Sequence, residues 1–417
     1  MGRVKKLVSN TAIMGAGTFI SKVLVFLLMP FYTACLSSAE FGVADILTQT
    51  ANLIIPIAVL GISDGLFRFT IDANPEKRKQ IFTISLLSLV IGMVPLAALI
   101  QIFRLFSVYE GYIWLVFIYI CSANLHLIAA NYLRGCDRTK AFAIQGIINT
   151  ALVIVFNVLF LIAFDLGVTG YVLSVVLADF VTSLGILLFC RLYRDITFRK
   201  IDKGLLGEIL RFSIPYIPLT LTWTITSVSD RFVILATLGE DATSINGLYA
   251  AAYKLPTLIT IAGGIFIKAW HISSVSENDE GERSSFFGSV YKNYLSLMFV
   301  GGACLVALSK VFTKLLLNES YYSSWQYVPV LAVAMIFSAF SEFLGSVYFV
   351  NKKSTRSLVT AMAGALTNIV LNFALIPFFG AMGAAIATAI CYALVFVIRI
   401  IDTQKFIRFE RAMVKTL

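Results

Sequence analysis

Residues 139–174 read TKAFAIQGIINTALVIVFNVLFLIAFDLGVTGYVLS, and residues 355–388 read TRSLVTAMAGALTNIVLNFALIPFFGAMGAAIAT. Each stretch is an apolar run with an asparagine late in it, then a pair of glycines spaced GxxG, then a second apolar run. The asparagines are Asn157 and Asn372; the glycines are Gly167 with Gly170 and Gly380 with Gly383. A basic turn precedes each copy, RGCDRTK at 134–140 and NKKSTR at 351–356. Runs of about 20 apolar residues fit helices that cross a bilayer. The two hairpins are an even number of spans apart, so both copies run in the same direction. This pattern predicts a duplicated bundle, a parallel repeat. The copies echo again, more weakly, in AEFGVADI at 39–46 and SINGLYAA at 244–251.

Composition agrees. The chain has 417 residues, 59% hydrophobic and 13% charged, with a mean hydropathy of +0.88. Soluble domains carry about twice that share of charge, so the solvent of this chain is lipid. Twelve helices are expected, at roughly 10–34, 42–67, 81–103, 112–133, 142–164, 169–190, 210–238, 247–270, 287–309, 325–350, 357–377 and 383–401. They group into a six-helix bundle over 1–195, a cytoplasmic linker over 196–209 and a second bundle over 210–417. The fold class is all-α and polytopic.

Lysine and arginine crowd alternate loops. One side holds Arg3 to Lys6, Arg68 to Lys79, Arg134 to Lys140, Arg191 to Arg211, Arg283, Lys352 to Arg356 and a basic tail from Arg399. The other holds Arg104, Lys310 and Lys314. That bias places both termini in the cytoplasm. The net charge of +10 is therefore a topology signal, not a nucleic-acid footprint. The six cysteines form no CxxC pair, and the two histidines are too few for a histidine metal site, so no metal or cofactor is expected. The outer loops are short, which leaves no room for a catalytic domain.

Charge inside the spans is the functional signal, because each such group costs at least ~2.5 kcal/mol. The segment LTWTITSVSDRFVILATLG, 221–239, carries Asp230 beside Arg231. Adjacent residues on a helix point about 100° apart, so the two are expected not to form one neat ion pair. Lys22 and Lys254 add two more cations. Asp45, Thr48, Gln49 and Asn52 form a polar stripe at i, i+3, i+4 and i+7. Tyr249 and Tyr253 flank Lys254 as candidate ring surfaces for sugars. Asp179 and Glu342 are candidates for ion coupling or for structural interhelical bonds, and Asp45 is either an ion site or an interfacial residue. Asn157 and Asn372 read as packing residues. Prolines in SIPYIPLT, 213–220, predict a bend.

The order of these features resembles a known family. A basic start, twelve spans in two halves, GISDGLFRF at 61–69, LRGCDRTKAFAIQGI at 133–147 and SDRFVILATLG at 229–239 are similar to the polysaccharide-transport branch of the multidrug/oligosaccharidyl-lipid/polysaccharide exporter superfamily. The resemblance covers essentially the whole chain. It implies a pair of bundles that move undecaprenyl-pyrophosphate-linked sugar repeats to the outer leaflet of the bacterial cytoplasmic membrane. It also implies a cationic cavity for the anionic head group, with Lys22, Arg231 and Lys254 as its candidates. Asp230 would then orient a neighbour or carry a coupling cation, H+ or Na+. A polysaccharide polymerase is an implied partner. A cation antiporter of the same fold is the alternative, and it would rely on Asp45, Asp179 and Glu342.

Overall fold

The computed structural model describes residues 23–24, 26–71, 73–197, 202–276, 280–350 and 353–405. Among the described residues the regular structure is helical throughout. Helices α1 (Met29–Cys35), α2 (Ser38–Ala58), α3 (Ile62–Ile71), α4 (Pro75–Leu99), α5 (Ile113–Gly135), α6 (Thr139–Val158) and α7 (Gly167–Phe189) come first. They are followed by α8 (Lys203–Ser213), α9 (Tyr216–Thr237), α10 (Ala242–Lys254), α11 (Thr257–Ser276) and α12 (Glu280–Ala307). The last are α13 (Ser309–Leu316), α14 (Val328–Val350), α15 (Ser354–Phe379) and α16 (Ala381–Thr403). Nine of the described helices are long and apolar enough to cross a membrane.

Three expected spans are broken. The span over 42–67 divides into α2 and α3, because Leu60 and Gly61 both take positive φ, 50° and 67°. The span over 210–238 divides at Ile214–Pro215 into α8 and α9, the predicted bend. The span over 247–270 divides at Leu255–Pro256 into α10 and α11. Proline has no amide hydrogen to give and clashes with the preceding turn, so both later breaks follow from one residue each. Lys254 therefore ends a helix; the sequence placed it inside one. The predicted first span lies mostly outside the described residues, and Lys22 with it.

The chain forms two compact units. Among the described residues, one comprises those of 43–224 with those of 23–28; the other comprises 29–42 and those of 225–405. Their surfaces are built for lipid. Ile91, Val94, Leu105 and Phe189 in the first, and Phe378 in the second, expose 68–90% of their area. Such exposure would be a liability in water and is ordinary in hydrocarbon. The core of the second unit is aromatic: Phe266 stacks on Tyr294 at 4.7 Å, and Phe343 lies 5.4 Å from the same ring.

Both copies of the GxxG hairpin work by one device. Gly167 and Gly380 sit at φ 51° and 58°, a region open to glycine and strained for other residues. The second glycine of each pair lets the helices close up. A Cβ on Gly170 would meet Phe160 and Leu166 at 3.0–3.1 Å, and one on Gly383 would overlap the backbone of Leu375. The weaker echo is also explained by close approach, within the second unit. A Cβ on Gly42 would strike the Thr243 carbonyl, and one on Gly247 the Ser38 carbonyl. Ser38 and Ser244 hydroxyls meet at 2.8 Å beside them.

Candidate functional site

Asp230 and Arg231 lie at the centre of a buried polar chain in the second unit, 0% and 3% exposed. The expectation that they could not pair is corrected. Their Cα–Cβ bonds do diverge, but the long arginine side chain folds back along α9. Its NH1 donates to the Ser227 carbonyl at 2.7 Å, one turn earlier, and comes within 3.7 Å of Asp230 Oδ2. The guanidinium is also 4.6 Å from the Tyr253 ring centre and 5.4 Å from that of Tyr249. Cations are attracted to such ring faces, most strongly where water is excluded.

Asp230 Oδ2 is heavily used. The Tyr249 hydroxyl donates to it at 2.5 Å and the Thr388 hydroxyl at 3.2 Å. Asp230 Oδ1 is buried and accepts no hydrogen bond among the described residues. The chain continues through amides and hydroxyls. Asn368 donates to Thr388 Oγ1 at 3.3 Å, Ser229 donates to Asn368 Oδ1 at 2.5 Å, and Asn372 donates to Asn368 Oδ1 at 3.1 Å and to Ser229 Oγ at 3.3 Å. The oxygens around Asp230 are a hard donor set, ill suited to a thiophilic metal, and the Arg231 guanidinium supplies the positive charge beside them. No cluster of three His, Cys, Asp or Glu residues occurs among the described residues.

The other predicted residues are spread out. Tyr249 is fully buried, so its ring serves Arg231 and Asp230 in this conformation, whereas Tyr253 is partly open. Lys254 is partly buried at the end of α10, the end at which a helix dipole favours a cation. In the first unit, Asp45 is 5% exposed and accepts from Gln49 Nε2 at a long 3.5 Å, while Asn52 is exposed. The stripe is thus a gradient from buried to open along α2. Glu342 is exposed on α14, within electrostatic reach of Arg399. Asp179 belongs to a separate cluster on α7, 3.0 Å from His126.

Three features escaped the sequence. Arg399, read as the start of the basic tail, is 1% exposed inside α16. It donates to the Ser341 carbonyl at 2.6 Å and to Thr360 Oγ1 at 3.0 Å, and thereby ties α14 and α15 to α16. Asn372 does hold helices together, donating to Ser229 of α9, but the sequence reading left out Asn368, which shares its face four residues earlier; that i, i+4 pair was the available signal. His126 is the third: two histidines are too few for a metal site, and its partners come from other helices.

Comparison with known proteins completes the assignment. No curated protein matches the chain. Among solved structures, a lipid II flippase, MurJ, in an inward closed conformation, superposes with a TM-score of 0.77 at 13% identity, covering 94% of this chain and 87% of that one. A multidrug resistance MATE family transporter of the MOP superfamily, inward-facing, gives a TM-score of 0.68 at 16% identity over 93% and 97%. A MOP superfamily transporter from Pyrococcus furiosus, described as having a binding pocket of reverse polarity, gives 0.61 at 16% over 95% and 96%. At these identities the likeness shows the fold alone, a MATE-like arrangement of helices. Residues 7–270 match the model of a family described as polysaccharide biosynthesis proteins, and the chain belongs to that family.

Proposed function

We propose that this protein is a flippase that carries undecaprenyl-pyrophosphate-linked oligosaccharide repeats across the bacterial cytoplasmic membrane, with both termini in the cytoplasm. The observation that carries the reading is a buried arginine, Arg231, inside helix α9 of a polysaccharide biosynthesis family member. A pyrophosphate head group cannot enter hydrocarbon unaided. Arginine offers it a planar fork of donors, always charged. In the conformation described here that fork is turned to Ser227, Asp230 and the two tyrosines. Binding phosphate means exchanging those partners. Once Arg231 turns to a phosphate oxygen, Asp230 loses its counter-charge while keeping the Tyr249 and Thr388 hydroxyls. A cation taken up at Asp230 would restore neutrality, so anion binding and cation binding are linked. Lys254 and Lys22 supply further positive charge, and Gln49, Asn52 and Tyr253 hydrogen-bonding and ring surface for sugars. Coupling to H+ or Na+ draws on Asp45, Asp179 or Glu342, and a polysaccharide polymerase would receive the product.

The rival is an ion-coupled multidrug antiporter, favoured by the exposed Glu342 and by the MATE transporters of similar fold. One assay separates the two. The protein is reconstituted in liposomes with a fluorescent prenyl-pyrophosphate oligosaccharide, and access of the head group to an impermeant quencher is followed. Head-group flipping that Arg231→Ala abolishes at normal protein level is the expected result. Dye export without flipping would establish the antiporter.

A further inference from the structure

Four polar side chains meet inside the first unit on three membrane-spanning helices. His126 comes from α5, Gln145 and Asn149 from one face of α6, and Asp179 from α7. His126 Nδ1 lies 3.0 Å from Asp179 Oδ1, and Nε2 lies 2.6 Å from Gln145 Oε1. Asn149 Nδ2 donates to the same Asp179 oxygen at 2.7 Å. The histidine and aspartate side chains are 18% and 11% exposed, enclosed but not sealed.

The proton count follows from the partners. An amide oxygen has no hydrogen to give, so Nε2 carries one. An ionised carboxylate has none either, so Nδ1 and Oδ1 hold a second between them. The pair therefore binds one proton more than a neutral imidazole beside a bare carboxylate, and its net charge is zero. In hydrocarbon that neutrality is strongly favoured; exposure to water relaxes the demand. The proton-free state also has partners. Asn149 continues to donate to Asp179. Its amide lies across the ring face, 3.1 Å from Nδ1 and 3.5 Å from Nε2, so a turn of the ring lets Nδ1 accept from it. A purely structural ion pair needs only one of these arrangements.

The surroundings leave the pair to itself. Asp179 is the charged group that acts on His126. Tyr119 on α5 and Tyr171 on α7 come next, and Tyr171 faces Asp45 of α2. Helices α3 and α4 also pack on α5. The charges of α3 are Arg68, in its last turn, and Asp64, whose side chain lies outside the described residues; α4 carries Glu76, Lys77, Arg78 and Lys79 close to its start.

We propose that His126 and Asp179 form a single-proton binding site, and that the proton exchanged there is the one that drives transport. The coupling half rests on the transport function proposed for the chain; the site itself does not. The test uses the full chain in nanodiscs with 15N-labelled histidine. There are two histidines, and His271→Gln leaves one signal. In that background the His126 ring should show the charged pattern at pH 7, and Asp179→Asn should make it neutral. Asn149→Leu should keep the ring charged at a pH where the unaltered site has become neutral. A ring neutral at pH 7 and indifferent to Asp179→Asn overturns the site. Coupling is read in liposomes under a pH gradient, where acceleration of head-group flipping should be lost in His126→Gln. Equal acceleration in that variant overturns the coupling. Should neither protein flip the lipid, the substrate assignment fails while the NMR result still decides the site; gradient-driven export of a cationic dye then reads the coupling, supported by its loss in His126→Gln and refuted by its persistence.

Discussion

Replacing Asp230 by asparagine preserves shape and removes one charge. The tyrosine and threonine hydroxyls can still donate to the amide oxygen, so the hydrogen-bond pattern largely survives. What is lost is the counter-charge of a guanidinium that is 3% exposed and 3.7 Å away. At an effective dielectric constant of about 20, unit charges at that separation attract by about 4 kcal/mol. Breaking one side of a buried pair is expected to destabilise by ~3–5 kcal/mol. Arg231→Gln alone leaves a buried carboxylate and should cost about as much. The double variant removes both charges and should recover most of the loss. The assay is a double-mutant cycle on reversible unfolding in bicelles. A coupling energy at least as large as one single effect, ~3–5 kcal/mol, would support the pair. Single effects that add within about 0.5 kcal/mol would refute it and restore the expectation that the two residues act on separate partners. Transport gives a second arm: the double variant should fold normally and still fail to flip the head group.

Three further outcomes follow. Arg231→Lys should fold but lose flipping about as fully as Arg231→Ala, because an ammonium cannot reproduce a fork stacked on Tyr253; transport near the unaltered rate would show that charge alone suffices. Gly383→Ala should lower the melting temperature far more than Gly146→Ala, since the added methyl overlaps Leu375 in the first case and meets open space in the second; thermal-shift assays in detergent decide it. Arg399→Met should cost about 1–3 kcal/mol through loss of the charged hydrogen bonds to the Ser341 carbonyl and the Thr360 hydroxyl, with flipping by the folded fraction unchanged; a specific transport defect would make Arg399 functional.

Much of the fold was legible because lipid imposes a simple rule. Every backbone group in hydrocarbon must bond within its own segment, so apolar length alone marks a helix. The GxxG hairpins were readable for a similar reason: positive φ and close approach both select glycine. The breaks at Leu60–Gly61 and Pro256 were harder, because hydropathy does not dip where a membrane helix stops and restarts. Candidate site residues were legible as expensive side chains and not as partners. Adjacent numbering separated Asp230 from Arg231 on a helical wheel, yet three methylenes let the guanidinium reach back a full turn. His126 was invisible for the opposite reason. Its partners are Asp179, 53 positions away, and two amides on a third helix; only tertiary contact puts them together.

The two buried charge pairs differ in what each can exchange. Arg231 stays protonated at any pH the protein meets, so its pair with Asp230 cannot neutralise itself by moving a proton between partners. It can change only by swapping partners, and the partner that suits a guanidinium is a phosphate oxygen. His126 is the opposite case. Imidazole gains and loses its charge near neutral pH, and Asn149 stands ready for the state without the proton. A transporter that must recognise a permanently charged head group and also draw work from a proton gradient needs one site of each kind. On the function proposed, placing them on different helices would keep the head-group site loaded with positive charge whatever the proton occupancy of the other. If one residue served both tasks, each proton released would weaken the hold on the pyrophosphate at the same moment. Under the two proposals, the separation of Arg231 from His126 along the chain has a physical reason: recognition needs a charge that does not titrate, and coupling needs one that does.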